Sequence, residues 1–227
     1  MTDNARRADI VAVMGATGAG KSSAIVAKLA ADPAPRLMVW DFKREYLSAG
    51  HCYSTTQPLY DRVAAAGPGP FSVVFHPSFD VDQGRQQFDW FCKVAYAVGD
   101  LLVIADELHR VMLPGWSPEG WGMLVCLGRN RGVRVIAASQ RPAGIEKGFW
   151  DQASVIRSGR LNGKASAQAV AGVLLVPWQD VVALPPLHWI QRSIYEPAIV
   201  RGRIEWRAGR PHDVMLSKKP LPGATLT

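Results

Sequence analysis

The sequence predicts an α/β fold with a mainly parallel central sheet flanked by helices, and three observations carry that prediction. The apolar run Ile10 to Met14 leads straight into a glycine-rich turn and then into helix-forming residues. Further apolar runs alternate with helical stretches along the chain, the pattern of strands joined by crossover helices. One of those runs, Leu101 to Ala105, is wholly apolar, as a strand covered on both faces must be, and it ends in two acids.

The turn reads Gly15-Ala16-Thr17-Gly18-Ala19-Gly20-Lys21-Ser22, a full match to G-x-x-x-x-G-K-[ST]. Its glycines let the backbone curl until successive N–H groups point at a phosphate. Lys21 would reach the β- and γ-phosphates, and Ser22 would ligate Mg²⁺. Gly15 through Ser22, with Ser23 behind them, are therefore the candidate nucleotide-binding residues, and ATP with Mg²⁺ the expected ligands. The residues from Ser22 to Ala31 are rich in helix formers, so the helix N-terminus falls where the phosphates need it.

Arg36 to Trp40 is the next strand. A helical stretch from Pro58 to Ala66 passes through Gly67-Pro68-Gly69-Pro70 into the strand Phe71 to Phe75. Gln86 to Val98 spaces its apolar residues as a helix does, and Leu101 to Ala105 follows as a short buried strand. Asp106 and Glu107 close that strand about 85 residues after the turn. A carboxylate at such a strand end can hold the metal, directly or through a water, and a glutamate beside it can polarise the attacking water, which favours hydrolysis over transfer to an acceptor. With a strand or two intervening, the pattern is that of a P-loop NTPase of the additional-strand, catalytic-glutamate type. Capping of the following turn is the alternative role for the acid pair.

Val133 to Ser139 forms another strand, ending at Gln140 and stopped by Pro142. Beside the turn and the acid pair, Gln140 would bond the γ-phosphate or the lytic water and report which nucleotide is bound. Just upstream, Arg129 and Arg131 lie at a helix end. They suit stabilisation of a transferring phosphoryl group, often one bound by a neighbouring subunit, or else plain capping of a helix C-terminus. Met112 to Gly122 reads as a loop with two tryptophans, a contact for DNA or a neighbour, or aromatic packing beneath the loop.

Composition is that of a folded domain: at 227 residues and 48% hydrophobic, the chain can bury one core. No apolar run approaches the ~18 residues needed to cross a bilayer, and the N-terminus lacks a signal-peptide core. A cytoplasmic setting is expected. Cys52, Cys92 and Cys126 are odd in number and far apart, so neither a disulfide framework nor a zinc site is indicated. The net charge of +7 is unevenly placed: residues 1–128 carry 11 Lys and Arg against 13 Asp and Glu, residues 129–227 carry 15 against 6. That asymmetry suits a nucleic-acid partner, or simply a solvated basic surface. Arg141, Lys147, Arg157, Arg160 and Lys164 are the basic residues near expected loops.

In the last third, Ser154 to Arg157 is a strand and Lys164 to Leu175 a helix. Ile190 to Tyr195 and Ala198 to Arg207 suggest a β-hairpin turning at Glu196-Pro197. The expected organisation is one domain over residues 1–207 and a flexible basic tail over 208–227, where prolines and lysines accumulate.

Taken together, these motifs resemble the FtsK/HerA superfamily of P-loop DNA-pumping ATPases. The carrying residues are Ala138-Ser139-Gln140-Arg141-Pro142, close to that superfamily's "ATQRP"; Gly128, Arg129 and Gly132, matching "GR-x-x-G"; and Trp40 to Tyr46, similar to "D-P-K-x-E-Y" with Phe42 in place of proline. The resemblance spans about residues 8–206. Within the superfamily a chain of this size looks most like the genome-packaging ATPases of tectivirus-type tailless, membrane-containing bacteriophages. The resemblance implies pumping of double-stranded DNA into a preformed capsid by a homo-oligomeric ring, expected to be a hexamer. ATP would sit between subunits, and the ring would meet a packaging vertex or portal protein, in the virion and the host cytoplasm, without membrane insertion. Two other readings stand beside it. A Zot-like phage assembly and DNA-export ATPase would normally carry a membrane span. A small-molecule kinase would need a lid and acceptor pocket in place of a water-activating glutamate.

Overall fold

The computed structural model describes residues 10–221. Ten strands form one sheet: β1 (Ile10–Met14), β2 (Arg36–Trp40), β3 (His51–Tyr53), β4 (Phe71–Phe75), β5 (Leu102–Ala105), β6 (Arg134–Ser139), β7 (Val155–Gly159), β8 (His188–Ser193), β9 (Glu196–Arg207) and β10 (Arg210–Pro220). Their spatial order is β10-β9-β8-β7-β1-β6-β5-β2-β4-β3. From β3 across to β7 every pairing is parallel, and β8, β9 and β10 then add in antiparallel sense. The fold is the expected mixed α/β one, and β6 is the additional strand between β1 and β5.

Among the described residues, seven α-helices accompany these strands: α1 (Lys21–Ala31), α2 (Thr56–Ala66), α3 (Val81–Val98), α4 (Glu119–Leu127), α5 (Gly148–Gln152), α6 (Lys164–Leu174) and α7 (Trp178–Val182). Because successive residues of a strand face opposite ways, the apolar runs serve two cores at once. Ala12, Met14, Met38, Trp40, Val103 and Val135 meet Phe88, Phe91 and Trp121 of α3 and α4 on one face, whereas Val11, Val13, Val39, Ile104 and Ile136 meet Ala24 and Ile25 of α1 on the other. Trp40 anchors the first core, 5.5 Å from the Phe75 ring and 4.9 Å from Phe88, within the range where aromatic pairs add to simple burial. Asp80 caps α3 by accepting from Gln83 N at 2.8 Å, which stops that helix from starting later as the sequence suggests.

Three expectations are corrected here. Residues 210–220 are a strand, not a flexible tail: Ala208 (φ 50°) and Gly209 (φ 74°) both adopt the left-handed conformation that a two-residue hairpin turn requires, and β10 then pairs along β9. Pro211, Lys218, Lys219 and Pro220 read as breakers, yet all are tolerated on an edge strand. Residues 222–227, like 1–9, lie outside the described residues. The β8–β9 hairpin turns at Ile194-Tyr195 instead of Glu196-Pro197, with Pro197 beside a register shift where a missing N–H does no harm. The Met112–Gly122 segment is a loop only in part, since α4 begins at Glu119; Trp121 is 1% exposed in the core, and Trp116, at 45%, is the exposed one of the pair.

Gly202 shows how tightly the antiparallel strands pack. A Cβ there would lie 2.2 Å from Trp189 Cζ2 and 2.4 Å from the Val214 carbonyl oxygen, and Trp189 is in turn covered by the Arg157 guanidinium at 4.0 Å from its ring centre. Gly202→Ala is expected to destabilise the fold by about 2 kcal/mol or more through overpacking, which urea denaturation of the two proteins measures directly.

Candidate nucleotide site

Parallel strands present their C-terminal ends on one edge of the sheet, and the loops leaving β1, β2, β5 and β6 meet there. The glycine-rich turn follows β1. Gly18 (φ 74°) and Gly20 (φ 90°) take conformations that a side chain disfavours, and Gly20 is the N-cap of α1. No side chain caps α1 and no acid lies in its first turn, so its first N–H groups and the positive end of its dipole are left for an anion. Lys21 is 7% exposed and donates to the Ala16 carbonyl oxygen at 3.3 Å; burial lowers its pKa, against the pull of Glu107.

Asp106 and Glu107 are each 1% exposed. Burial first, then the Glu107 charge, pushes the Asp106 carboxyl up to about 7. Its Oδ1 accepts from Glu107 N at 2.9 Å. Glu107 itself is left-handed, φ 56°, which for a residue with a side chain costs on the order of 1 kcal/mol and turns the carboxylate back toward β6. There Gln140 Nε2 and Lys43 Nζ both contact Oε1. The opposite oxygen, Oε2, is buried and accepts no hydrogen bond, although His109 Nδ1 lies 3.2 Å away. Against its own burial, the bonds from Lys43 and Gln140 hold Glu107 below the usual carboxylate range. Gln140 Oε1 meanwhile accepts from Thr17 Oγ1 at 2.6 Å, so Gln140 bridges the glycine-rich turn and the acid.

The loop after β2 completes the site. Asp41 accepts from Glu45 N at 3.0 Å and Tyr46 N at 2.9 Å, a side-chain cap that folds the loop back, and Glu45 Oε2 accepts from Ser22 Oγ. Lys43, Glu45 and His109 were not singled out from the sequence. The WDFKREY run carried a resemblance but no role, and nothing local says that a lysine from the loop after β2 will meet the glutamate that follows β5. As a cation site, Ser22 and Asp106 offer hard oxygen donors of the kind Mg²⁺ prefers, and the Asp106 carboxylate is buried without a full counter-charge, which such an ion would supply.

Arg129 and Arg131 do not join this cluster. They precede β6 and so sit at the opposite edge of the sheet from the P-loop. Arg131 donates to the carbonyl oxygens of Ala97 (2.8 Å) and Tyr96 (3.4 Å), a cationic cap on the end of α3. Arg157, among the basic residues near expected loops, is 13% exposed and paired with Asp213 at 2.7 Å, so it braces β10 instead of facing solvent. Arg141, Lys147, Arg160 and Lys164 are exposed.

Because ionised Asp106 is disfavoured in the fold, its contribution to stability is complete below the ordinary carboxylate value near 3.8 and is lost as pH rises toward about 7. Asp106→Asn removes that loss. In nucleotide-free buffer with EDTA the variant is expected to be more stable than the parent by on the order of 3 kcal/mol at pH 8, with the gap closing near pH 4, as thermal unfolding at the two pH values will report.

Comparison with known proteins agrees with this architecture. Protein P9 of Pseudoalteromonas phage PM2 is 28% identical over 177 residues, 76% of this chain and 78% of that protein. The crystal structure of B204, the DNA-packaging ATPase from Sulfolobus turreted icosahedral virus, matches with a TM-score of 0.67 at 18% identity, over 86% of this chain and 97% of that one. B204 from Sulfolobus turreted icosahedral virus 2, a genome packaging NTPase solved in complex with ATP-γS, matches at 0.66 and 18%, over 85% and 95%. The cytoplasmic domain of the type VII secretion ATPase EccC from Thermomonospora curvata matches at 0.52 and 24%, over 86% of this chain and 25% of that one. No protein-family profile matches the chain. The fold is that of a P-loop NTPase, shared with the B204 genome-packaging NTPases and with the EccC cytoplasmic domain.

Proposed function

We propose that this chain is an ATP-hydrolysing motor that drives double-stranded DNA into a preformed viral capsid. The observation that carries the reading is the meeting, at one sheet edge, of the glycine-rich turn, the Asp106-Glu107 pair and Gln140, with β6 between the strands that bear the first two. The DNA-packaging role of B204, whose fold this chain shares, supports the DNA-pumping part, and the sequence similarity to a phage protein, P9, supports the viral setting.

In this reading the turn from Gly15 to Ser23 and the uncapped start of α1 hold the phosphates, and Lys21 neutralises the β- and γ-groups. Ser22 and Asp106 would hold Mg²⁺, which would supply charge neutralisation for the phosphates. Glu107 orients water and takes its proton as the water oxygen bonds the γ-phosphorus; the bond to the β–γ bridging oxygen breaks and ADP leaves. Gln140, bonded on one side to Thr17 and on the other to Glu107, senses the γ-phosphate. Arg129 and Arg131 are too far from their own chain's turn, so either acts on a neighbour's nucleotide within a homo-oligomeric ring or not at all. Double-stranded DNA and a packaging-vertex protein are the expected partners, in the host cytoplasm and the virion.

Steady-state ATP hydrolysis with and without long double-stranded DNA, against a Lys21→Ala blank, tests the reading. Turnover stimulated by DNA is expected. Turnover that requires a small phosphate acceptor would replace the motor with a kinase.

A further inference from the structure

The loop between β2 and β3 touches the site at two points, and only one of them suits catalysis. Glu45 Oε2 accepts the hydrogen bond of the Ser22 hydroxyl, which leaves the Ser22 oxygen lone pairs available, a productive arrangement for a cation ligand. Lys43, two residues earlier, lies on Glu107 instead. With Lys43 and Gln140 on Oε1, and Oε2 enclosed without a hydrogen-bond partner, the carboxylate has no face turned to water. An ammonium ion on a general base also opposes the proton transfer the base must make. Lys43 is 31% exposed while Glu107 is 1% exposed, so of the two partners the lysine is the one with room to leave. The Asp41 carboxylate ties the backbone of Glu45 and Tyr46 together, so a change at Ser22 is felt along the loop that carries Lys43.

We propose that Lys43 is a positioning residue that latches Glu107 in a resting state, and that the Asp41–Tyr46 loop, fastened to Ser22 through Glu45, releases the latch when nucleotide engages the P-loop. This rests on the nucleotide-hydrolysis reading and deepens it by naming what holds the site idle between turnovers. A protein that must open a latch to bind has an apparent affinity reduced by the fraction of open molecules. Removing either half of the latch therefore tightens binding.

The test is a binding cycle with Mg²⁺ and ATP-γS, read by calorimetry on the full chain. Lys43→Gln and Glu107→Gln should each bind about fivefold more tightly than the parent, the double variant no more tightly than either single one, and Lys43→Arg, which keeps the ion pair, like the parent. Weaker binding by Lys43→Gln, or gains in the two single variants that multiply in the double one, would overturn the latch while leaving the ATPase reading intact. Absence of binding by the parent, with Lys21→Ala indistinguishable from it, would overturn both. Because Glu107→Gln probes the latch from its other side, a folding defect in one variant does not spare the idea.

Discussion

Glu107→Gln is expected to lower the ATP turnover number by about 10²–10³-fold with no loss of nucleotide affinity. The substitution keeps side-chain volume and the capacity to bond Gln140, and it removes the carboxylate that can receive a proton together with its ion pair to Lys43, neither of which lowers affinity. Its effect should therefore appear in kcat and not as a rise in KM, the signature of an interaction made in the transition state alone. Glu107 is 1% exposed and its backbone is left-handed, so no other carboxylate can be brought to the same place by a small adjustment. Asp106 stands next to it, but its carboxyl is pushed up to about 7 by burial and by Glu107, and its Oδ1 is engaged by the Glu107 N–H. Initial rates over a range of ATP concentrations, with and without DNA, check the expectation; unchanged kcat would remove Glu107 from the chemistry.

Lys21→Ala should raise the dissociation constant for ATP by at least about tenfold and up to about a hundredfold, the range for loss of a charge-assisted bond of 1.5–3 kcal/mol. The lysine is nearly buried and, among the described residues, its ammonium donates to the Ala16 carbonyl oxygen, a weak partner for it. Burial already disfavours its charge, so it is held ready for an anion that the turn itself lacks. The variant should fold normally, because removing a poorly compensated buried cation relieves desolvation. Its thermal unfolding without nucleotide should thus match or exceed that of the parent, while stabilisation by added ATP, which depends on affinity, largely disappears. Full stabilisation by ATP in the variant would contradict the assignment of the P-loop.

What could be read in advance was whatever depends on neighbours in sequence. The turn from Gly15 to Ser22 needs its glycines and lysine at fixed offsets from a strand and a helix, and all of them lie within a dozen residues. The acid pair at the end of Leu102–Ala105 and the Ser139-Gln140 end of β6 are equally local, and a wholly apolar strand announces that both of its faces are covered. The strand ending at Gln140 was expected beside the P-loop and acid-pair strands, and β6 does lie between β1 and β5. Edge strands were harder. His51–Tyr53 is three residues long and exposed, and β10 is full of the lysines and prolines that protect an edge. Its pairing with β9 comes from a turn of only two residues, Ala208-Gly209, whose left-handed backbone no composition reveals.

The tertiary structure alone decided who meets whom across the sheet. Lys43 reaches Glu107 from the loop after β2, Gln140 meets Thr17 across 123 positions of sequence and also Glu107, and Arg157 is taken from the solvent by Asp213, 56 positions away. Arg131 is directed to the carbonyl oxygens of α3. Sequence determined the chemistry available to this protein, because residue type and local spacing set which groups can bind a phosphate or move a proton. Which of those groups are held, buried or left free was decided by packing, because ion pairing and desolvation depend on distances in space that the linear order of residues does not contain.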